Sequence, residues 1–309
     1  IQAMESKSVK VFMGMGGNFA RATPDSSRTE EALAKCELTV QVTTKLNKTH
    51  LAHGKKALIL PCLGRSELDV QASGEQSVTV EDSMGVVHSS RGRNEPASEN
   101  LKSEVAIVVG MARAAFTENQ RIWQPLQDDY SLIRKKIEAV LPELFEDYNK
   151  KITQPGGFRL YNSAAARKWN TKTGKARFIT KPLPILEVPA GKLRLMTIRS
   201  LDQYNTTIYG MNDRYRGIFG TRRVILMNLK DMESLGIEHG QGVVIKSYME
   251  DGRKRQVSGF HAVRYNIPQG CAASYFPETN ELIAVEYTAD RSFTPISKLV
   301  PVTVYKSSE

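Results

Sequence analysis

Short apolar blocks at residues 9–14, 38–44 and 57–61 are separated by polar stretches, and residues 27–35 between the first two have helical composition. Strands of this length alternating with helices predict a mostly parallel sheet covered on both faces, because parallel neighbours need a crossover and the crossover helix shields the sheet. Residues 64–100 are polar, with turn formers at Ser73-Gly74, Arg91-Gly92 and Glu95-Pro96, and read as one long irregular loop. Helical spacing returns at 103–116, where Val105, Ile107, Val108 and Met111 can share one stripe, and again at 130–148.

Residues 151–189 hold Pro155-Gly156-Gly157, Thr173-Gly174-Lys175, Pro182, Pro184 and Pro189 with little periodicity, and read as a packed connector. Beyond it come strand-like runs at 193–198, 223–227, 243–247, 256–263 and 282–286, separated by Gly-bearing turns, with one short helical stretch at 230–235. That half reads as a β-barrel or sandwich. The predicted organisation is an α/β domain over 1–150, a connector over 151–189 and a mostly-β domain over 190–309.

Composition adds limits. With 40% hydrophobic and 25% charged residues the chain has the make-up of a packed, water-soluble protein. No run approaches the 18 apolar residues of a membrane span, and residues 1–10 lack the pattern of a secretory signal. Cys36, Cys62 and Cys271 are too far apart for a zinc or iron–sulfur spacing and read as buried thiols in a reducing compartment. Lys plus Arg exceed Asp plus Glu by 43 to 33, a net +10, which favours a polyanionic partner. Nucleic acid is not the expected one, since no aromatic-interleaved basic motif is present. His50 and His53 lie three apart without an Asp, Glu or Cys to complete a metal set, and no G-x-S-x-G elbow marks a hydrolytic nucleophile.

Two clusters carry candidate binding chemistry. Gly14-Met15-Gly16-Gly17-Asn18 follows a strand and precedes a helix, where glycines let backbone N–H groups approach a phosphate or nucleotide; a bare sheet-edge turn is the competing reading. Asn205-Thr206-Thr207, preceded by Arg199-Ser200 and Gln203-Tyr204, gathers amides, hydroxyls and a guanidinium that suit a phosphate-rich ligand, or else form an ordinary solvent-facing loop.

Taken in order, these segments resemble the molybdopterin oxidoreductases that include formate dehydrogenase, nitrate reductase and dimethyl sulfoxide reductase. Residues 9–18 resemble the family's strand and loop ending in Gly-Gly-Asn. Leu38-Thr39-Val40-Gln41 is similar to its next strand, and Lys56-Ala57-Leu58-Ile59-Leu60-Pro61 to its "ADVVLP" strand with the usual Asp replaced. Residues 84–93 resemble the G-T-x-x-N-x-E-G-R loop, and Glu104 stands where an Asp commonly binds guanine. Leu235-Gly236-Ile237, Tyr275-Phe276-Pro277-Glu278-Thr279-Asn280 and Thr294-Pro295-Ile296-Ser297-Lys298 resemble segments of the last domain. Leu63-Gly64-Arg65-Ser66-Glu67 points to a formate dehydrogenase alpha-subunit-like subgroup.

The resemblance implies a doubly wound, Rossmann-like α/β domain followed by a six-stranded double-psi barrel, together binding molybdopterin guanine dinucleotide. The positions it implies for that cofactor are Gly16, Gly17, Asn18, Gln41, Glu104, Arg199, Gln203, Tyr204, Asn205, Thr206, Asn280 and Lys298. It implies no catalytic residue and no metal ligand within this chain; the molybdenum ligand and any iron–sulfur cluster would lie in an N-terminal part, which is then the expected partner. The expectation is a fragment of a cytoplasmic redox enzyme, inactive alone, since a mature product opening on Ile1 is not expected. A cofactor-delivering subunit without catalysis, or a basic anion-binding protein, are the alternatives.

Overall fold

The structure is a computed structural model describing residues 1–182, 187–206 and 208–307, without the side chains of residues 119 and 120. Pro184 of the connector and Thr207 of the Asn-Thr-Thr cluster lie outside the described residues. The chain forms two compact units, Ile1–Leu60 with Pro184–Glu309, and Pro61–Leu183. The packing units therefore differ from the predicted domain limits at 150 and 189. The first sixty residues pack with the mostly-β half through ion pairs and hydrogen bonds formed across more than 200 residues of sequence.

In the first segment β1 (Val11–Met15) and β2 (Leu38–Thr43) are parallel, in register from Val11 opposite Leu38 to Met15 opposite Val42. The next strand, β3 (Lys56–Pro61), completes the order β1-β2-β3. Helices Phe19–Ala22 and Ser26–Ala34 make the crossover, and Ala32, Leu33 and Cys36 pack with Met4, Ala20 and Ala52 into a small core. Three strands are fewer than the two βαβ halves of a doubly wound sheet require.

The stretch 64–100, predicted to be one irregular loop, carries short antiparallel strands between its turns. Strand β4 (Val70–Gln71) pairs with β5 (Gly74–Glu75), and β6 (Val78–Glu81) pairs with β7 (Val86–Ser90) and through it with β8 (Phe158–Arg159). The β6–β7 turn holds because the Asp82 carboxylate accepts from the Met84 and Val86 amides at 2.8 and 3.1 Å, and Gly85 takes φ +73°, a conformation that costs a residue with a Cβ. Under this sheet Val87, Tyr148 and Ile152 bury together, with Phe145 and Phe158 edge to face. The single helix predicted over 130–148 is three: Tyr130–Val140, Pro142–Phe145 and Tyr148–Lys151. Pro142 disfavours helix at Leu141, and Asp147 turns left-handed at φ +55°. Helix Gln120–Asp128 was not anticipated, since Pro125 sits inside it.

The mostly-β half is a six-stranded closed barrel. Its strands are β9 (Leu193–Ile198), β10 (Val224–Met227), β11 (Gly242–Tyr248), β12 (Lys254–Arg264), β13 (Cys271–Tyr275) and β14 (Val300–Lys306), in the order β10-β12-β11-β14-β9-β13. The β10–β12 and β9–β13 pairs are parallel and the others antiparallel. Alternation along β9 and β14 sends Leu193, Leu195, Val300, Val302 and Val304 into a core shared with Ile225, Met227, Ile245 and Phe260. Helix Leu229–Leu235 is capped by the Asn228 side chain, which accepts from the Lys230 amide, and ends at left-handed Gly236. The run 282–286 is not a strand. Asn280–Leu282 is a single tight turn, and Leu282 and Ile283 are buried in the barrel core as its plug.

Candidate cofactor-binding site

The glycine-rich turn begins where β1 ends. Gly16 and Gly17 take φ +62° and +70°, and a Cβ at either would meet no atom within 4 Å, so both backbones border open space. Gly14, by contrast, is required by contact: a Cβ there would meet the Gln41 side-chain oxygen at 2.5 Å. The turn is braced from behind. Asn47 Nδ2 donates to the Gly17 carbonyl at 2.7 Å, and Thr49 Oγ1 donates to the Asn18 carboxamide oxygen at 3.1 Å while accepting from the Ala20 amide at 3.0 Å. Asn18 is thus buried and oriented, and Gln41 is buried beside Gly14 with its amide nitrogen unpartnered.

Asn280 is the hinge between this segment and the barrel. Its Nδ2 donates to the Arg21 carbonyl at 2.7 Å, and its own carbonyl accepts from the Asp25 amide at 2.9 Å. Next to it the Glu281 carboxylate accepts from the Ser27 amide at 2.8 Å. Deeper, buried Arg255 of β12 donates to the Asp25 carboxylate at 2.9 and 2.7 Å and also binds Asp251. Arg28 links Glu5 and Glu286, each at 2.7 Å.

On the barrel side the loop after β9 is organised by Gln203. Its amide nitrogen donates to the Asn205 and Phe276 carbonyls at 2.8 and 2.7 Å, and its oxygen accepts from the Ser200 amide and from Arg222. Arg222 is buried between the rings of Tyr209 and Tyr275, 4.4 and 4.6 Å from their centres, and pairs with Glu278 at 2.7 Å. Arg199 lies over the Phe276 ring at 5.0 Å. Lys298 donates to the Thr197 carbonyl. Burial, and next the Arg199 charge, push its ammonium below the usual lysine range. Tyr275 donates to buried Asp213 at 2.8 Å; burial and then that carboxylate raise the phenol's pKa.

A cleft of about 560 Å³ is lined by Arg21 and Ser27 of the first segment and by Tyr209, Arg222, Arg223 and Glu278 of the barrel half, among others. Arg222 is neutralised by Glu278, whereas Arg21 and Arg223 form no ion pair among the described residues. Glu281, also in the lining, has its carboxyl pushed up by burial, against the hydrogen bond it accepts from the Ser27 amide. An open cleft with two uncommitted guanidiniums fits a phosphorylated ligand.

Of the predicted positions, Asn18 and Asn280 both bond the Arg21 backbone, Gln203 joins the Asn205 and Phe276 carbonyls with Arg199 over the Phe276 ring, and Lys298 bonds Thr197; Gly16 and Gly17 precede Asn18, Gln41 lies beside Gly14, and none of the twelve predicted positions lines the cleft itself. Tyr204 and Asn205 are exposed, Asn205 at φ +48°, and Thr206 is buried. Glu104 opens helix Glu104–Ala115 in the other unit, exposed beside its capping residue Ser103. Arg21, Ser27, Tyr209, Arg222 and Arg223 were missed. Only the adjacent Arg222-Arg223 pair ahead of a strand offered a signal; the Asp25–Arg255 pairing, 230 residues apart, offered none.

Residues 193–303 match the family described as the molydopterin dinucleotide binding domain, a span that runs from β9 into β14. Among whole proteins the chain is similar to an uncharacterized oxidoreductase of Mycobacterium tuberculosis, 49% identical over 308 residues, covering 98% of this chain and 39% of that protein. It is also similar to protein YdeP of Escherichia coli, 44% identical over 314 residues, covering 100% of this chain and 41% of that protein. The chain therefore spans about two-fifths of the length of these relatives. In fold it is similar to the acetylene hydratase from Pelobacter acetylenicus, with a TM-score of 0.66 at 15% identity, covering 99% of this chain and 46% of that one.

Proposed function

We propose that this chain is the C-terminal, cofactor-binding portion of a molybdenum oxidoreductase of formate dehydrogenase-like type, and that it holds molybdopterin guanine dinucleotide. The observation that carries the reading is the cleft to which both sequence segments contribute, Arg21 and Ser27 from one and Arg222, Arg223 and Tyr209 from the other, the latter three within the residues that match a dinucleotide-binding domain. Two-electron redox chemistry would be supplied by the bound group, as in cofactor enzymes generally. The chain's own residues bind and orient. Arg21 and Arg223 neutralise phosphate charge, the open Gly16–Gly17 backbone lets N–H groups approach it, and Asn18 and Asn280 fix the loops that carry these groups.

In this reading residues 1–60 hold one part of the dinucleotide and 190–309 the other, with Lys298 among the cofactor-binding positions of the second half. In this reading Gln203 and Asn280 act by positioning. Their amides are committed to protein carbonyls, so they shape the site through the loops they hold.

The test is mass spectrometry of small molecules released by acid from protein produced with molybdate. Release of a pterin together with GMP is expected, reduced at least tenfold in an Arg21→Ala/Arg223→Ala variant of unchanged fold. Protein free of both compounds would remove the cofactor reading, and a different bound anion would favour a basic anion-binding protein.

A further inference from the structure

Strand β3 is apolar without interruption from Ala57 to Leu60, the composition of a strand buried on both faces of a parallel sheet. Its environment is the opposite. Leu58 is 46% and Ile59 41% exposed, and successive side chains of a strand point to opposite faces, so neither face of β3 is covered. The neighbouring β2 is buried from Thr39 to Thr43. β3 is an edge strand, and its charge and proline stand only at the ends, Lys56 and Pro61, leaving four apolar residues unguarded. At the far edge of the same sheet, Val11 and Met15 of β1 are exposed as well.

We infer that this sheet is a docking surface, and that its occupant is the part of the longer polypeptide lying outside these 309 residues, which wraps β3 and covers Leu58 and Ile59 on opposite faces. Length argues for that occupant. The matched region is only 39% and 41% of the two relatives, and the three-stranded sheet stops short of what an α/β domain of this type needs to bury its strands. A second copy pressing on one face would leave the other residue in water. The inference rests on the reading of the chain as part of a longer enzyme but not on the cofactor.

To test it, residues 1–309 replace the matching region of the Mycobacterium tuberculosis relative, and amide exchange at 56–61 is compared between that chimera and the 309-residue chain. Barrel strands β10 and β11 serve as the internal reference. At least tenfold slower exchange in the chimera is expected, abolished by L58K/I59K, while the same pair of substitutions leaves the melting temperature of the 309-residue chain within about 2 °C, as for surface positions. Equal exchange in chimera and chain overturns the inference. So does exchange in the chain alone that slows with concentration as a dimer forms, which would assign the face to a second copy. A chimera that protects 56–61 but releases no pterin would remove the cofactor reading and leave this one standing.

Discussion

Arg255 is the cation on which the junction of the two sequence segments depends. Its side chain is 2% exposed, and it donates twice to Asp25, itself 5% exposed. Replacing it by Met keeps the volume and removes the charge, leaving the Asp25 carboxylate buried without a partner. Removing one member of a buried pair costs about 3–5 kcal/mol, because the survivor keeps its desolvation penalty and loses the compensating attraction. For a cooperative unit of this size, about 2–4 °C is lost per kcal/mol, so R255M should melt roughly 6–20 °C lower by circular dichroism at pH 7. The double variant D25N/R255M should recover part of that loss, since the orphaned charge is then gone, with a coupling energy of roughly 1–3 kcal/mol. A melting temperature for R255M within about 2 °C of wild type, or a double variant no better than the single one, would refute the buried pair as the fastening.

Asp251 gives a pH signature of the same cluster. Hydrogen bonds from Arg255 hold its carboxyl down from the ordinary 3.8 to about 2, so its contribution is fully present above about pH 4 and is lost as pH falls through 2; acid titration of stability should show that loss in wild type and not in D251N. In the other unit, a Cβ on Gly92 would lie 1.9 Å from the Glu67 carbonyl oxygen and 2.7 Å from its nitrogen, both backbone atoms, so G92A should destabilise that unit by about 1–3 kcal/mol or more in urea titrations. The substitution Y275F removes the donor to Asp213, whose second oxygen is already unpartnered, and should cost about 1–3 kcal/mol and raise the Asp213 pKa in carboxylate NMR titrations.

How far the chain was legible follows from which physics is local. Strand β9 and the β10–β12 runs declared themselves through β-branched and aliphatic blocks. Strand β13, Cys-Ala-Ala-Ser-Tyr, has no β-branched residue, and Pro301 demotes β14, so neither was read although both complete the barrel. The block 282–286 is apolar enough for a strand, but Asn280 ties the chain ahead of it to the Arg21 carbonyl, and Leu282 and Ile283 enter the core from a turn. The same holds for the site. Gly16, Gly17 and Asn18 are a local pattern and could be seen; Arg222 between two tyrosines and Asp25 against Arg255 are products of the tertiary fold and could not.

The central claim, that residues from both sequence segments meet on one guanylated pterin, is tested most directly by amide exchange on cofactor-loaded and cofactor-free protein. Slower exchange on loading is predicted at 16–27, 209–223 and 276–281 together. Protection restricted to one of these stretches, or found only on strands away from the cleft, would contradict it.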